Sequence, residues 1–170
     1  MRAKLVDPNR APAATAPAIR IGVISDTHGL LRPEAVAALA GCDHILHAGD
    51  VGDDNILAAL RKIAPLTAIR GNVDHNGVCA TLPPTEAVEL SGKLFYMVHA
   101  RADLDLDPQA ASVSAIVFGH SHQPEITWQN GILYFNPGSA GPRRFRLPIT
   151  IGFIDCIRGE LHPRIETILE

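Results

Sequence analysis

"IRIGVISDTH", residues 19–28, is the stretch on which the reading of this chain turns. Ile19–Ser25 is short, apolar and rich in isoleucine and valine, as suits a strand buried on both faces. It ends abruptly in Asp26-Thr27-His28. The next fifty residues repeat the pattern. "RPEAVAALAG" reads as a helix with Pro33 in its first turn and Gly41 past its end. "HILHAG" is a second strand. "DDNILAALRKIAP" is a second helix, with Asp53 or Asp54 as N-cap and Pro65 as stop, and "LTAIRG" is a third strand. A βαβαβ order calls for parallel strands joined by right-handed crossovers.

The second half is richer in strands. "EAVELSGKLFYMVH" predicts a hairpin turning at Ser91-Gly92, and "DPQAASVS" predicts a short helix before the strand "AIVFG". "EITWQNGILYFN" carries the strongest short turn signal in the chain, Asn130-Gly131. "PITIGFIDCIRGELHPRIETI" predicts a last hairpin. The expected fold is α/β, with two mixed β-sheets packed as a sandwich and flanked by helices. Met1–Pro17, broken by prolines and lacking a continuous apolar run, is expected to be a flexible arm rather than a signal peptide. Residues 18–170 are expected to form one domain.

Hydrophobic residues make up 46% of the chain and charged residues 19%, which excludes a disordered protein. A formal charge of −3 argues against a nucleic-acid or anionic-membrane coat. Cys42, Cys79 and Cys156 are scattered and form no CxxC pair, which excludes a disulfide framework and a thiolate zinc site and points to a reducing cytoplasm. No apolar run is long enough to span a bilayer. Exposed hairpins leave pairing into a homo-oligomer open.

The chemistry lies where the strands end. Asp26-Thr27-His28 follows the first, Gly49-Asp50-Val51-Gly52-Asp53 the second, and Gly71-Asn72-Val73-Asp74 the third. His99, Gly119-His120-Ser121-His122 and Asn136-Pro137-Gly138-Ser139 follow three later ones. The carboxyl ends of strands are where α/β sheets build sites. Aspartate, histidine and asparagine without cysteine make a nitrogen and oxygen ligand set for manganese, iron, nickel, cobalt or zinc. The donors exceed the needs of one ion and suit two divalent ions sharing a carboxylate. Two such ions leave net positive charge and favour an anionic substrate such as a phosphate ester. Asp53 and Asn136-Pro137-Gly138 also have plain readings, as a helix cap and a turn. His44, His47 and His162 are assigned to packing or surface.

With these residues quoted, the chain resembles the calcineurin-like metallophosphoesterase superfamily, whose pattern runs DxH, GDxxD, GNH(E/D), H, GHxH. The resemblance covers about Ile19–Leu169, and is greatest to the small bacterial and archaeal phosphodiesterase branch. That branch is similar in turn to the eukaryotic retromer scaffold subunit. The resemblance implies a four-layer sandwich. It implies that Asp26, His28, Asp50 and His122 hold one metal and that Asp50, Asn72, His99 and His120 hold the other, with Asp50 bridging and Ser121 serving only as a spacer. Manganese is the expected ion. A small phosphate ester, more specifically a phosphodiester, would be hydrolysed by in-line attack of a bridging hydroxide. Two departures bear on catalysis. Val73 stands where the family has a histidine, so leaving-group protonation would fall to water, Asp74 or His75. Arg101 stands where many small members have His-Gly-His, and is expected on the phosphate. The alternatives are a non-catalytic scaffold, a phosphomonoesterase or a nuclease.

Overall fold

Strand β1 (Ile19–Ile24) is buried from Ile21 to Ile24 in a computed structural model that describes residues 16–170. Most of the arm expected at 1–17 therefore lies outside the described residues. Alternate β1 side chains serve two different cores, because successive residues of a strand point to opposite faces. Ile21 and Val23 join a cluster with Leu46, Ile69, Phe95, Met97, Phe135 and Ile154, which lies between two sheets. Ile24 joins Leu39, Ile45, Leu57, Leu60 and Phe153, under two helices.

Those helices are α1 (Pro33–Leu39) and α2 (Asp54–Arg61). Pro33 sits in the first turn of α1, where a missing N–H costs nothing. Asp53 caps α2 by accepting the Asn55 N–H at 2.8 Å. Strands β2 (His44–His47) and β3 (Leu66–Ala68) pair parallel to β1 in sequence order. The final hairpin, β9 (Ile149–Ile157) and β10 (Glu160–Leu169), pairs antiparallel on the other side of β1. The first sheet thus runs β10-β9-β1-β2-β3.

The second sheet runs β4-β5-β6-β8-β7. Its members are β4 (Thr85–Leu90), β5 (Lys93–Val98), β6 (Ala115–Val117), β7 (Glu125–Gln129) and β8 (Ile132–Asn136). The β4–β5 and β7–β8 hairpins turn at Ser91-Gly92 and Asn130-Gly131, all four residues having positive φ. Strands β5, β6 and β8 pair parallel. Each sheet therefore has three adjacent parallel strands, central in the second sheet and running to the β3 edge in the first, and their six carboxyl ends meet on one rim of the sandwich. The expected α/β class and paired mixed sheets hold.

The outermost layer on the second sheet differs from expectation. "DPQAASVS" forms no helix. Asp107 caps a single turn through the Gln109 and Ala110 N–H groups, and Ser112 enters the left-handed region at φ 58° and ends it. One turn fixes several dihedrals for one or two hydrogen bonds and cannot propagate past such a stop. Val113 from this segment, with Leu104 and Leu106 just before it, still covers Tyr96, Ile116, Phe118 and Tyr134. Among the described residues no helix is long and apolar enough to cross a membrane.

His47 is fully buried beside this rim, as the packing assignment expects. Its Nδ1 accepts the Gly49 N–H at 3.2 Å, so its other nitrogen carries the proton and donates to Thr27 Oγ1 at 3.0 Å. Thr27 Oγ1 in turn donates to Val51 O at 2.8 Å. A second proton would face the Gly49 N–H. Burial accordingly pushes the His47 pKa down to about 4 from 6.5. Between those values the unfolded chain takes up a proton that the native one refuses. Stability present above pH 6.5 should be lost as pH falls toward 4. Urea midpoints of metal-free protein at about pH 7 and about pH 4.5 measure the slope. It should be shallower in His47→Gln, and equal slopes would mean that His47 does not carry it.

Candidate metal centre

Three of the six rim segments are locally strained. Asp26, His28, Asp50, His120 and His122 all have φ between 45° and 70°, where non-glycine residues rarely sit. Each such residue costs of the order of 1–3 kcal/mol unless its surroundings hold it. Hydrogen bonds do hold them: Asp26 N–H donates to Gly49 O at 3.0 Å and His28 N–H to Asp50 O at 2.9 Å. The strain aims side chains inward from loops that would otherwise point them along the strand.

Asp26 is fully buried, and its two oxygens are treated differently. Oδ2 accepts from Ser25 Oγ at 2.7 Å and from the His120 N–H at 3.1 Å. Oδ1 is buried without any hydrogen-bond partner. It faces the Nε2 atoms of His122 at 3.5 Å, His28 at 3.8 Å and His99 at 3.9 Å. Burial raises the Asp26 pKa, since desolvation outweighs the Ser25 hydrogen bond. Burial, with the Arg144 charge next, pushes the His122 pKa down to about 4, which leaves its ring neutral at ordinary pH. The Nε2 atoms of His28 and His122 stand 3.3 Å apart. Asp26, His28 and His122 are placed to converge on one ion.

The second half of the centre adjoins it. His99 Nδ1 donates to Ala48 O at 2.7 Å, which leaves Nε2 as a lone pair pointing at the centre. That Nε2 lies 3.3 Å from Asp50 Oδ2, which is also 3.5 Å from His28 Nε2. Asp50 Oδ2 thus faces both halves. In the metal-free centre His99 can instead hold a second proton on Nε2 and donate it to Asp50: burial opposes ionisation of Asp50, but the hydrogen bond and charge of that protonated His99, with the Val73 N–H, more than offset it and hold the Asp50 pKa below the usual range. The same bond raises the His99 pKa against the effect of burial. Asn72 Oδ1 lies 3.1 Å from His99 Nε2 and 3.2 Å from His120 Nδ1. The donor set therefore fits divalent cations: lone pairs converge, and a buried carboxylate oxygen has no other partner.

Residues outside the ligand set hold the loops. Asp74 is buried, and its oxygens accept the N–H groups of Gly71 at 2.8 Å, Gly52 at 2.9 Å and Val51 at 3.1 Å. It ties the Asp50 loop to the Asn72 loop. His75 is exposed and lines a 220 Å³ depression with Gly52, Asp54, Asn76 and Cys79, none of them a candidate ligand. Arg101 pairs with Glu125 at 2.5 Å and stacks on Tyr134 with its guanidinium carbon 4.5 Å from the ring centroid.

Two features escaped the sequence reading. Ser121 is more than a spacer: Asn136 Nδ2 donates to its Oγ at 3.1 Å and to Gly119 O at 3.0 Å, so Asn136 pins the His120–His122 loop. A side chain at Gly119 would run into Ser25 Oγ and Asp26 Oδ2, which explains the glycine there. Ser139 Oγ also donates to Asp26 O at 3.0 Å. The asparagine and serine were visible after their strand, but only pairing across the sandwich gives them a target.

Residues 19–159 match the family model described as "Calcineurin-like phosphoesterase superfamily domain". The chain belongs to that superfamily. Among members of the superfamily, it is 36% identical over 132 residues to a "probable metallophosphoesterase" of Methanocaldococcus jannaschii, an alignment covering 70% of this chain and 67% of that protein. Its fold matches that of a novel archaeal phosphodiesterase with a TM-score of 0.73, at 21% identity, covering 87% of this chain and 100% of that one. It also matches vacuolar protein sorting 29 of Cryptosporidium parvum with a TM-score of 0.72, at 16% identity, covering 90% and 99%.

The unpartnered Asp26 oxygen generates a test. Asp26→Asn removes a buried charge and presents an amide to the imidazole lone pairs. Metal-free Asp26→Asn should be more stable than the native protein by roughly 1–2 kcal/mol. It should lose the rise in melting temperature that manganese gives the native chain. A destabilised metal-free variant would contradict this account of Asp26.

Proposed function

We propose that this chain is a metal-dependent phosphoesterase acting on phosphodiesters through two divalent cations. Asp26, His28, His122 and Asp50 hold one ion. Asp50, Asn72, His99 and His120 hold the other. The observation that carries the reading is Asp26 Oδ1, buried without a partner and aimed at three imidazole nitrogens. A scaffold without chemistry would have no use for that arrangement, and its cost favours a bound cation. Bound there, the ions would supply Lewis acidity to phosphoryl oxygens and lower the pKa of water.

The chain's own residues do the rest. The Ala48 carbonyl fixes the His99 tautomer, and Asp74 holds the Asp50 and Asn72 loops in register. A cavity of about 620 Å³, lined by Arg70, Asn72, His99, Asp103 and His120, adjoins the second half of the centre and offers room for one organic arm of a diester. Arg101, paired with Glu125 beside His120, contributes positive field rather than a free phosphate ligand. On this reading Asp74 serves as a loop clamp and His75 takes no part, so the leaving group takes its proton from water.

Protein stripped with chelator and reloaded with manganese should bind two ions per chain by elemental analysis. It should hydrolyse bis(p-nitrophenyl) phosphate in preference to p-nitrophenyl phosphate. A stoichiometry of one, or preference for the monoester, would sink the respective claim. Asp50→Asn should cost more kcat than His28→Ala at matched metal content, because Asp50 screens two cations from each other as well as ligating both. Comparable losses would remove the bridge.

Leaving-group dependence tests the gap at Val73. Across a series of aryl and alkyl phosphodiesters, kcat/KM should fall steeply as leaving-group pKa rises. His75→Ala should leave that slope unchanged. A slope that steepens in His75→Ala would give that histidine the acid role denied here.

A further inference from the structure

The segment after Ser139 is not explained by the metal centre. "GPRRFRLP", residues 141–148, places three arginines around Phe145, whose side chain is 93% exposed. An isolated phenylalanine so fully in water gains nothing from folding. Its backbone is also in the left-handed region, at φ 53°, which is uncommon for a bulky residue. The turn that holds it there is closed. Leu147 N–H donates to Arg144 O at 3.1 Å, and Arg143 Nη1 donates to Leu147 O at 3.2 Å.

The turn is also fastened to the metal end of the sandwich. Any side chain at Gly141 would strike the carbonyl oxygens of Asp26 and Thr27, so this backbone lies directly on the first ligand loop. Arg32 donates from Nε and Nη2 to Gly141 O, both at 3.2 Å. Arg143, Arg144 and Phe145 are all exposed on this turn, a few residues from the Gly141 contact. A rigid turn thus presents a cation and an aromatic ring, one residue apart, beside the Asp26, His28 and His122 half of the centre. The 620 Å³ cavity lies beside the other half, at Asn72, His99 and His120.

We propose that Arg144 and Phe145 form the recognition arm for a nucleotide-type phosphodiester, with Arg144 on the phosphate and Phe145 stacked on the base. In a nucleotide the phosphate and the base are separated by one sugar, which matches a cation and a ring on adjacent residues. Stacking on an exposed aromatic tolerates any base, because every base has a π-face. The second arm of the diester occupies the cavity by His99. The same three arginines and one ring could instead meet an anionic lipid surface, but a single ring offers little area for insertion.

This inference rests on the phosphodiesterase reading, and the test separates the two. Thymidine 5′-p-nitrophenyl phosphate and methyl p-nitrophenyl phosphate share a leaving group and differ in the other arm. The native, manganese-loaded protein should prefer the thymidine ester. Phe145→Ala should lower the ratio of kcat/KM values about tenfold, mainly through KM, and Phe145→Tyr should keep it. Phe145→Gly, which relieves the left-handed backbone, should behave as Phe145→Ala does. A ratio unchanged in both ring-deleted variants overturns the proposal. If neither ester is turned over, the phosphodiesterase reading fails, and calorimetric titration with thymidine 5′-monophosphate decides the recognition arm. Binding about tenfold weaker in Phe145→Ala upholds it; equal affinities, or no binding by either protein, overturn it. Sedimentation with phosphatidylserine vesicles that is lost in Phe145→Ala, with the ester ratio unchanged, would make the turn a membrane anchor instead.

Discussion

A carboxylate with one anchored oxygen and one bare oxygen is the constraint around which this protein is organised. Asp26 is fully buried, and desolvation works against its ionised form. Ser25 and the His120 N–H satisfy Oδ2, while Oδ1 is left to the imidazoles. Such a group would be a liability in a protein without a cation to receive. Three loops in the left-handed backbone region, several imidazoles and a second aspartate are arranged around it at further cost in conformational energy. The rest of the sandwich supplies the stability that lets this rim stay strained.

That stability has a recognisable source. Three apolar layers, one between the sheets and one on each outer face, bury Phe95, Phe135, Phe153 and a dozen or more aliphatic side chains. At roughly 1.5–3 kcal/mol for each large apolar side chain buried, even a few offset the strain of the rim loops. The polar residues that hold the loops are satisfied one by one: Asp74 by three backbone N–H groups, Asn136 by the His120–His122 loop, His47 by Gly49 and Thr27. Division of labour follows from position. Residues at the strand ends face the centre, and residues one step behind fix their geometry.

The departures from the family pattern sit in this second group. With Val73 in place of a histidine, the loop after Asn72 contributes backbone rather than an ionisable ring: the Val73 N–H donates to Asp50 Oδ1 at 3.1 Å. Asp74 looks like a spare acid in the chain order, but its oxygens are already committed. The same holds for Arg101, which looks free in sequence and is paired with Glu125 and stacked on Tyr134 in space.

Local order was legible from the chain itself. Period, caps and turn residues place both helices, the parallel first half and all three hairpins, because each signal acts over a few neighbouring residues. The candidate ligands were legible too, because polar residues and glycines break apolar strands at each end. The helix expected at residues 107–114 failed for the converse reason: Val113 packs on the second sheet from a single turn that Ser112 ends, a fact of tertiary contact. The parallel pairing of β5, β6 and β8 was likewise beyond the sequence, since strands joined by long excursions carry no register signal of their own. That pairing sets His99 and His120–His122 side by side, and packing of the two sheets on one core brings them to the rim of Asp26 and Asp50. Only in three dimensions does Asp74 become a clamp, Ser121 an anchor and Gly141 the seat of the Phe145 turn on the Asp26 loop, because each of these roles depends on what a residue meets across the fold.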